Sequence, residues 1–253
     1  MSPVKIGALG YRTVKAGDDD ELALNVCEAM LNNSSSTGYL AKLMSDGKLM
    51  GAMVMSEVYK DYGGLFVIYV PQILGQKFEE AEALVVNEIN RLRTESIDKE
   101  FLENIKLELV KNAYSELEDQ ETRVLKIGEC FIFDKDWHDV LEYPERIKKL
   151  TADDVKRVAE KYLNANYLAF HSKMGFPHNE KLEKPGFDPV IPKNAEAVSA
   201  YAEKFSKMKS KPVDLKLIAE GKDFIHKELH KGVDVYYSNF DQNDIFELSV
   251  KFN

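Results

Sequence analysis

The sequence predicts an α+β fold, a mostly antiparallel sheet with helices packed on one face. Three observations carry that prediction. The chain opens on a period of two, with Val4, Ile6 and Ala8 on one side and Lys5, Gly7 and Leu9 on the other. Two further apolar runs follow, separated by a short turn, as an antiparallel pair requires. The helical periodicities between residues 78 and 162 then fall between that pair and a single closing strand. Strands paired as hairpins, with the helices collected between them, build layers.

The elements follow in order. The opening strand ends at Gly10, and Asp18-Asp19-Asp20-Glu21 starts a helix. Carboxylates in a first turn face unpaired backbone N–H groups and the positive end of the helix dipole. Leu22, Val26, Ala29 and Met30 recur at helical spacing, and Leu24, Cys27 and Leu31 widen the apolar face, so this helix is expected to be covered on most sides. Asn32-Asn33-Ser34-Ser35-Ser36 breaks it, and Tyr39 to Met44 forms a short second helix stopped by Asp46-Gly47. Leu49 to Tyr59 reads as a strand with Ala52, Val54 and Ser56 on one face and Met53, Met55 and Glu57 on the other. Lys60 to Gly64 turns it into Leu65 to Val70, which is apolar throughout and is expected at the centre of the sheet.

Phe78 to Arg93 is helical with Ala81, Leu84, Val85 and Ile89 on one stripe. Asp98 is the expected N-cap of a long helix whose stripe runs Leu102, Ile105, Leu109, Ala113 and Leu117, with Ile97 placed to staple onto Leu102. Val124 to Phe133 and the short Trp137 to Leu141 are further helices. Thr151-Ala152-Asp153-Asp154 reads as a capping box before Val155, Val158, Ala159 and Tyr162, and Tyr167 to Phe170 closes the sheet.

Beyond residue 173 the texture changes. Residues 174–222 carry Pro177, Pro185, Pro189, Pro192 and Pro212 among frequent lysines, and read as an extended linker interrupted by one amphipathic stretch, Ala195 to Met208. Phe224 to Leu229, Val233 to Tyr237 and Ile245 to Phe252 then look like strands. The expected organisation is a domain over 1–173, a linker over 174–222, and the first strands of a truncated following domain over 223–253.

Composition narrows the function. Hydrophobic residues make up 44% and charged residues 30% of the 253, the mix of a soluble globular protein, and no apolar run approaches the ~20 residues that span a bilayer. The net charge of −9 repels phosphate backbones, so neither nucleic acid nor an anionic membrane is an expected partner. The first residues contain no apolar export segment, and a strand pattern begins almost at once, as in a piece cut from a longer protein. This leaves the compartment open. Cys27 and Cys130 lie far apart in apolar helical patterns and are read as buried free thiols, not as a disulfide or metal pair.

Several segments, in this order, resemble the insulinase/pitrilysin zinc peptidases. Gly10-Tyr11-Arg12-Thr13-Val14 followed by Asp18 to Leu24 is similar to the opening strand and first helix of that family's second domain. Asn32 to Leu40 is similar to its Gly/Ser-rich turn and short helix, with asparagines and serines replacing glycines. Thr151 to Leu163 resembles the helix before that domain's last strand. Leu229 to Tyr237 and Asn243 to Phe246 resemble the first strands of the next half. The resemblance implies four related α+β domains in two halves that close on a peptide substrate. It also implies a zinc site, an inverted H-x-x-E-H helix plus a distant Glu, in the first domain. Neither H-x-x-E-H nor H-E-x-x-H occurs in the 253 residues. The chain is therefore expected to supply no catalytic, cofactor or metal residue and to hydrolyse nothing alone. Its implied partners are peptide, an upstream zinc-bearing domain and the second half. The rival expectation is a scaffolding subunit of the same fold that has lost zinc and activity.

The remaining constellations read blandly. In His226-Lys227-Glu228-Leu229-His230 the histidines have zinc-helix spacing, but the Glu is central and the alternation favours a strand with a polar face. His138, His171 and His178 lack partners at ligand spacing and read as surface or packing residues. Ser34-Ser35-Ser36 has no nucleophile elbow, and Gly7, Gly10, Gly63 and Gly64 form no phosphate loop. Glu79-Glu80 and Asp153-Asp154 are explained by helix first turns. Arg12, placed at the end of an edge strand, could orient a peptide through its carboxylate or carbonyl groups, with a surface ion pair as the plainer alternative.

Overall fold

The computed structural model describes residues 4–175, 186, 188–210, 214–215, 217–239, 243 and 245–252. The chain forms two compact units, Met1–Pro177 with Asp244–Asn253, and His178–Asn243.

In the first unit, period-two alternation produces strands β1 (Ile6–Thr13), β2 (Gly51–Val58), β3 (Gly63–Val70) and β4 (Leu168–Ser172). They pair antiparallel in the order β2-β3-β1-β4. One face of the sheet is sealed by Leu9, Tyr11, Val54, Leu65, Val67 and Tyr69, all buried. Against that face lie α1 (Glu21–Leu31), α2 (Tyr39–Ser45), α3 (Phe78–Thr94) and α7 (Ala152–Tyr162). α4 (Lys99–Glu118) packs on α1, and α5 (Gln120–Phe133) and α6 (Trp137–Lys149) pack on α4. The helices thus collect on one side, as the sequence predicts. Each fully covered Leu or Ile in this layer stabilises the fold by about 1.5–3 kcal/mol.

The caps are where the residue types place them. Asp98 accepts from the Phe101 N–H at 2.8 Å, and Thr151 and Asp154 cap each other's backbone N–H groups at 2.9 and 3.2 Å. In α3 the Glu80 carboxylate reaches back to the Lys77 N–H at 3.2 Å.

Four sequence expectations are corrected. The helix expected to end at Leu141 continues to Lys149 straight through Pro144. Pro144 and Ile147 are buried, and that packing offsets the roughly 3 kcal/mol an interior proline costs. α5 begins at Gln120 because Asp119, which ends α4, also caps the new helix by accepting from Thr122 N–H at 2.7 Å. The amphipathic stretch 195–208 is helical only over α8 (Ala200–Ser206), where Ser199 accepts from Ala202 N–H at 3.1 Å. Residues 245–252 adopt no strand, since alternation alone cannot make one without a partner's hydrogen bonds.

The second unit contains α8 and a hairpin, β5 (Ile225–His230) with β6 (Val233–Tyr237), turned at Lys231-Gly232 with Gly232 at φ +80°. Every residue of both strands is exposed. Pro177, His178, Pro185, Pro212 and Asp244, singled out in the sequence, lie outside the described residues.

Candidate functional site

The register of the first unit places the outward residues in two rows that cross all four strands. Met53, Ile68, Ala8 and Phe170 form one row; Met55, Phe66, Gly10 and Leu168 form the other. Phe66, Met53, Leu168 and Phe170 are exposed, and the helices that touch the sheet bury its opposite face. The Phe66 ring lies over the two backbone positions with no side chain, since a Cβ at Gly64 would meet it at 3.0 Å and one at Gly10 at 3.4 Å. The small residues Ala8 and Gly10 of β1 thus lie between larger apolar side chains of β3 and β4, and the face is apolar across both rows. β2 and β4 are the edge strands, and an edge presents unpaired N–H and C=O groups to an incoming extended chain.

β1 is not an edge strand, which corrects the setting expected for Arg12. β4 pairs it only from Ile6 to Gly10, so on that side β1 is open at Arg12. Arg12 is exposed and no ion pair to it is found among the described residues.

Two partly buried polar clusters hold the sheet and the helices together. Glu82 on α3 accepts from the hydroxyls of Tyr167 at 3.0 Å and Tyr69 at 3.3 Å, and lies 3.0 Å from His171 Nε2. The imidazole stacks on Phe78 with centroids 4.4 Å apart. Burial and then the neighbouring Glu82 carboxylate push the Tyr69 phenol up, so it stays a neutral donor. This cluster fastens β4 to α3. Asp20 does the same for α1 and α7, with Arg157 Nη2 and Lys161 Nζ each at 2.8 Å and the Tyr162 hydroxyl at 2.9 Å. The hydrogen bond from Arg157 leads the causes that hold the Asp20 carboxyl well below the usual range, against the opposing effect of burial. The sequence reading explained the Asp18–Glu21 run by the helix dipole alone. It missed this pairing, whose members are up to 142 residues apart.

The asparagine- and serine-rich turn between α1 and α2 is held from outside. Glu108 on α4 accepts from the hydroxyls of Ser34 and Ser35 and from the Ser34 N–H. No other residue fits at Gly38, where a Cβ would lie 2.5 Å from the Leu31 carbonyl oxygen. Shallow clefts of 310 and 250 Å³ flank the turn, one including Tyr39, Arg91 and Phe101, the other Asn25, Glu28 and Tyr143. In the first, Arg91 stands 4.4 Å over the Tyr39 ring. The serines are thus a braced turn whose hydroxyls are taken up by a carboxylate.

The histidines stand apart. His138 is in the first turn of α6, where its N–H is capped by Asp136 at 2.8 Å. His171 is engaged as above. On β5, His226 Nε2 lies 2.8 Å from Asp234 on the facing strand. Four residues along a strand separate His226 from His230 by about 13 Å, too far for two imidazoles to share one zinc at ~2 Å. Among the described residues no three His, Cys, Asp or Glu side chains are grouped to hold a metal ion. The zinc of the resembled family does not fit the residues described. Cys27 and Cys130 are free and buried, and burial pushes the Cys27 thiol up to about 12. No helix among the described residues is long and apolar enough to cross a membrane.

An antiparallel four-stranded sheet with helices on one face and an open apolar face defines an α+β layer domain. Residues 3–109, less than half of the chain, match the family described as the peptidase M16 inactive domain. That match agrees with the resemblance to the insulinase/pitrilysin peptidases. Among solved structures it is similar to a protease from Helicobacter pylori, at 19% identity and TM-score 0.64, covering 68% of this chain and 42% of that one. It is similar to an inactive peptidase domain from Bordetella parapertussis, at 20% identity and TM-score 0.62, covering 72% of this chain and 97% of that one. A third likeness is to a chain of Complex III2 from Candida albicans, at 16% identity and TM-score 0.58, covering 68% and 43%. Identities this low speak for the fold alone. The matched part spans less than half of the Helicobacter pylori protease. No curated protein matches.

Proposed function

We propose that the chain is a non-catalytic part of a zinc metalloendopeptidase that helps to enclose and position peptide, while a separate zinc-bearing domain performs the hydrolysis. One observation carries this reading: the open apolar sheet face across Met53, Ile68, Ala8 and Phe170 and across Met55, Phe66, Gly10 and Leu168. An unfolded peptide offers apolar side chains at a period of two and free backbone groups, and both match a sheet face with an open edge. In this reading residues 1–173 form the enclosing domain, 174–222 a linker, and 223–253 the first strands of the following half. Peptide, the zinc-bearing domain and that second half are its partners.

The test is fluorescence anisotropy with a labelled, extended apolar peptide. The chain binds it, and Phe170→Asp or Met53→Asp weakens binding at least tenfold while the far-ultraviolet spectrum is unchanged. No binding, or binding indifferent to both substitutions, contradicts the proposal.

A second reading is a scaffolding subunit of the same fold without zinc; a chain of Complex III2 shares the fold. An intact H-x-x-E-H in an accompanying domain decides for the peptidase.

A further inference from the structure

Helix α5 is amphipathic in the wrong sense for a surface helix. Its polar side is turned toward α4, where Lys126 bridges Glu116 at 3.3 Å, and its outward side carries Val124, Leu125, Ile127, Phe131 and Ile132, all exposed. Phe131 is 87% exposed. Such a face is stable in water only when covered. In its middle stands Gly128, where an added Cβ meets open space although an interior helical glycine costs about 1 kcal/mol against alanine.

The face is symmetric about that glycine. Leu125 and Val124 lie three and four residues before Gly128, and Phe131 and Ile132 lie three and four residues after it. An antiparallel copy of the same helix, related by a two-fold axis through Gly128, sets Val124 and Leu125 of each chain against Phe131 and Ile132 of the other. The glycines let the two backbones approach at the axis. This self-complementarity is what an isologous interface requires. The exposed apolar area is on the order of 600 Å² per copy, at the top of what a monomer ordinarily leaves uncovered. Two copies together bury about 1,200 Å², the lower limit of a stable dimer interface. Val124, Leu125, Gly128, Phe131 and Ile132 carry no charge, so no like-charge pair stands at the centre; Glu129, exposed at the margin and 3.8 Å from Lys126 of its own helix, is set against Ile127 of the other chain.

We infer that α5 is a homodimerisation surface, closed by a second copy of this chain in antiparallel register about Gly128. The interface is at the small end of its class, so association falls in the micromolar range.

Sedimentation velocity of the full chain from about 1 to 200 µM, a range that brackets micromolar association, tests this. The expected result is a concentration-dependent dimer that Phe131→Glu and, separately, Leu125→Lys convert to monomer with unchanged thermal unfolding. Mixing the two variants restores a dimer, because the register sets the carboxylate introduced at position 131 of one chain against the ammonium introduced at position 125 of the other. A chain that is monomeric throughout, a dimer that Phe131→Glu leaves intact, or a mixture that does not reassociate overturns the proposal. Monomers with α5 protected from exchange by another domain of a longer chain would overturn it equally.

Discussion

Strand β3 and the hairpin β5–β6 are written in the same local grammar and have opposite fates. Both are extended runs turned by glycine, at Gly63-Gly64 and at Gly232, although the hairpin alternates where β3 is apolar throughout. Along β3, Leu65, Val67 and Tyr69 are fully covered, whereas no residue of β5 or β6 is buried. Extended runs and turn chemistry suffice to pair two strands. Stability comes from the helical layer laid on one face, which the first unit has and the hairpin, described by itself, does not.

The largest expected effect sharpens that contrast. Leu65→Ala lowers unfolding stability by about 2–5 kcal/mol, through lost burial and the cavity it leaves. Leu229→Ala in the hairpin changes it by less than about 0.5 kcal/mol. Urea unfolding followed by the fluorescence of Trp137 measures both, and equal effects would break the comparison.

A smaller effect separates the layer's polar fastening from its apolar packing. Asp20→Asn costs about 1–3 kcal/mol, because the Arg157 and Lys161 partners are half-exposed and regain water. The folded carboxyl titrates below its unfolded value of about 3.9, so its contribution is complete above that pH and is lost as pH falls toward the folded value. Thermal midpoints between about pH 6 and pH 2, a window that spans that unfolded value, should drop less steeply for Asp20→Asn than for the natural chain. Parallel curves would show that the pairing adds nothing.

The same contrast explains what could be read from the sequence. The strand faces in β2, the central place of the all-apolar β3, the cap at Asp98 and the box at Thr151 depend on neighbours within a few residues, and they were legible. The passage of α6 through Pro144 was not, because packing on α4 decided it over local propensity. Asp20 with Arg157, and Glu82 with His171 and Tyr167, join residues whose nearness only the fold creates. For α5 the periodicity showed a helix but not that its apolar side faces out. For the candidate site, the missing zinc motif was legible, whereas the apolar rows were not: Phe66, Gly10 and Leu168 align only through the sheet register.

We propose that catalysis lies outside these 253 residues. It is tested most directly by elemental zinc analysis of the purified chain, with a fluorogenic peptide assay on the same sample. The account predicts no stoichiometric zinc and no cleavage. One zinc per chain with chelator-sensitive cleavage would contradict it, and would return His226, Glu228 and His230 to the centre of the chemistry.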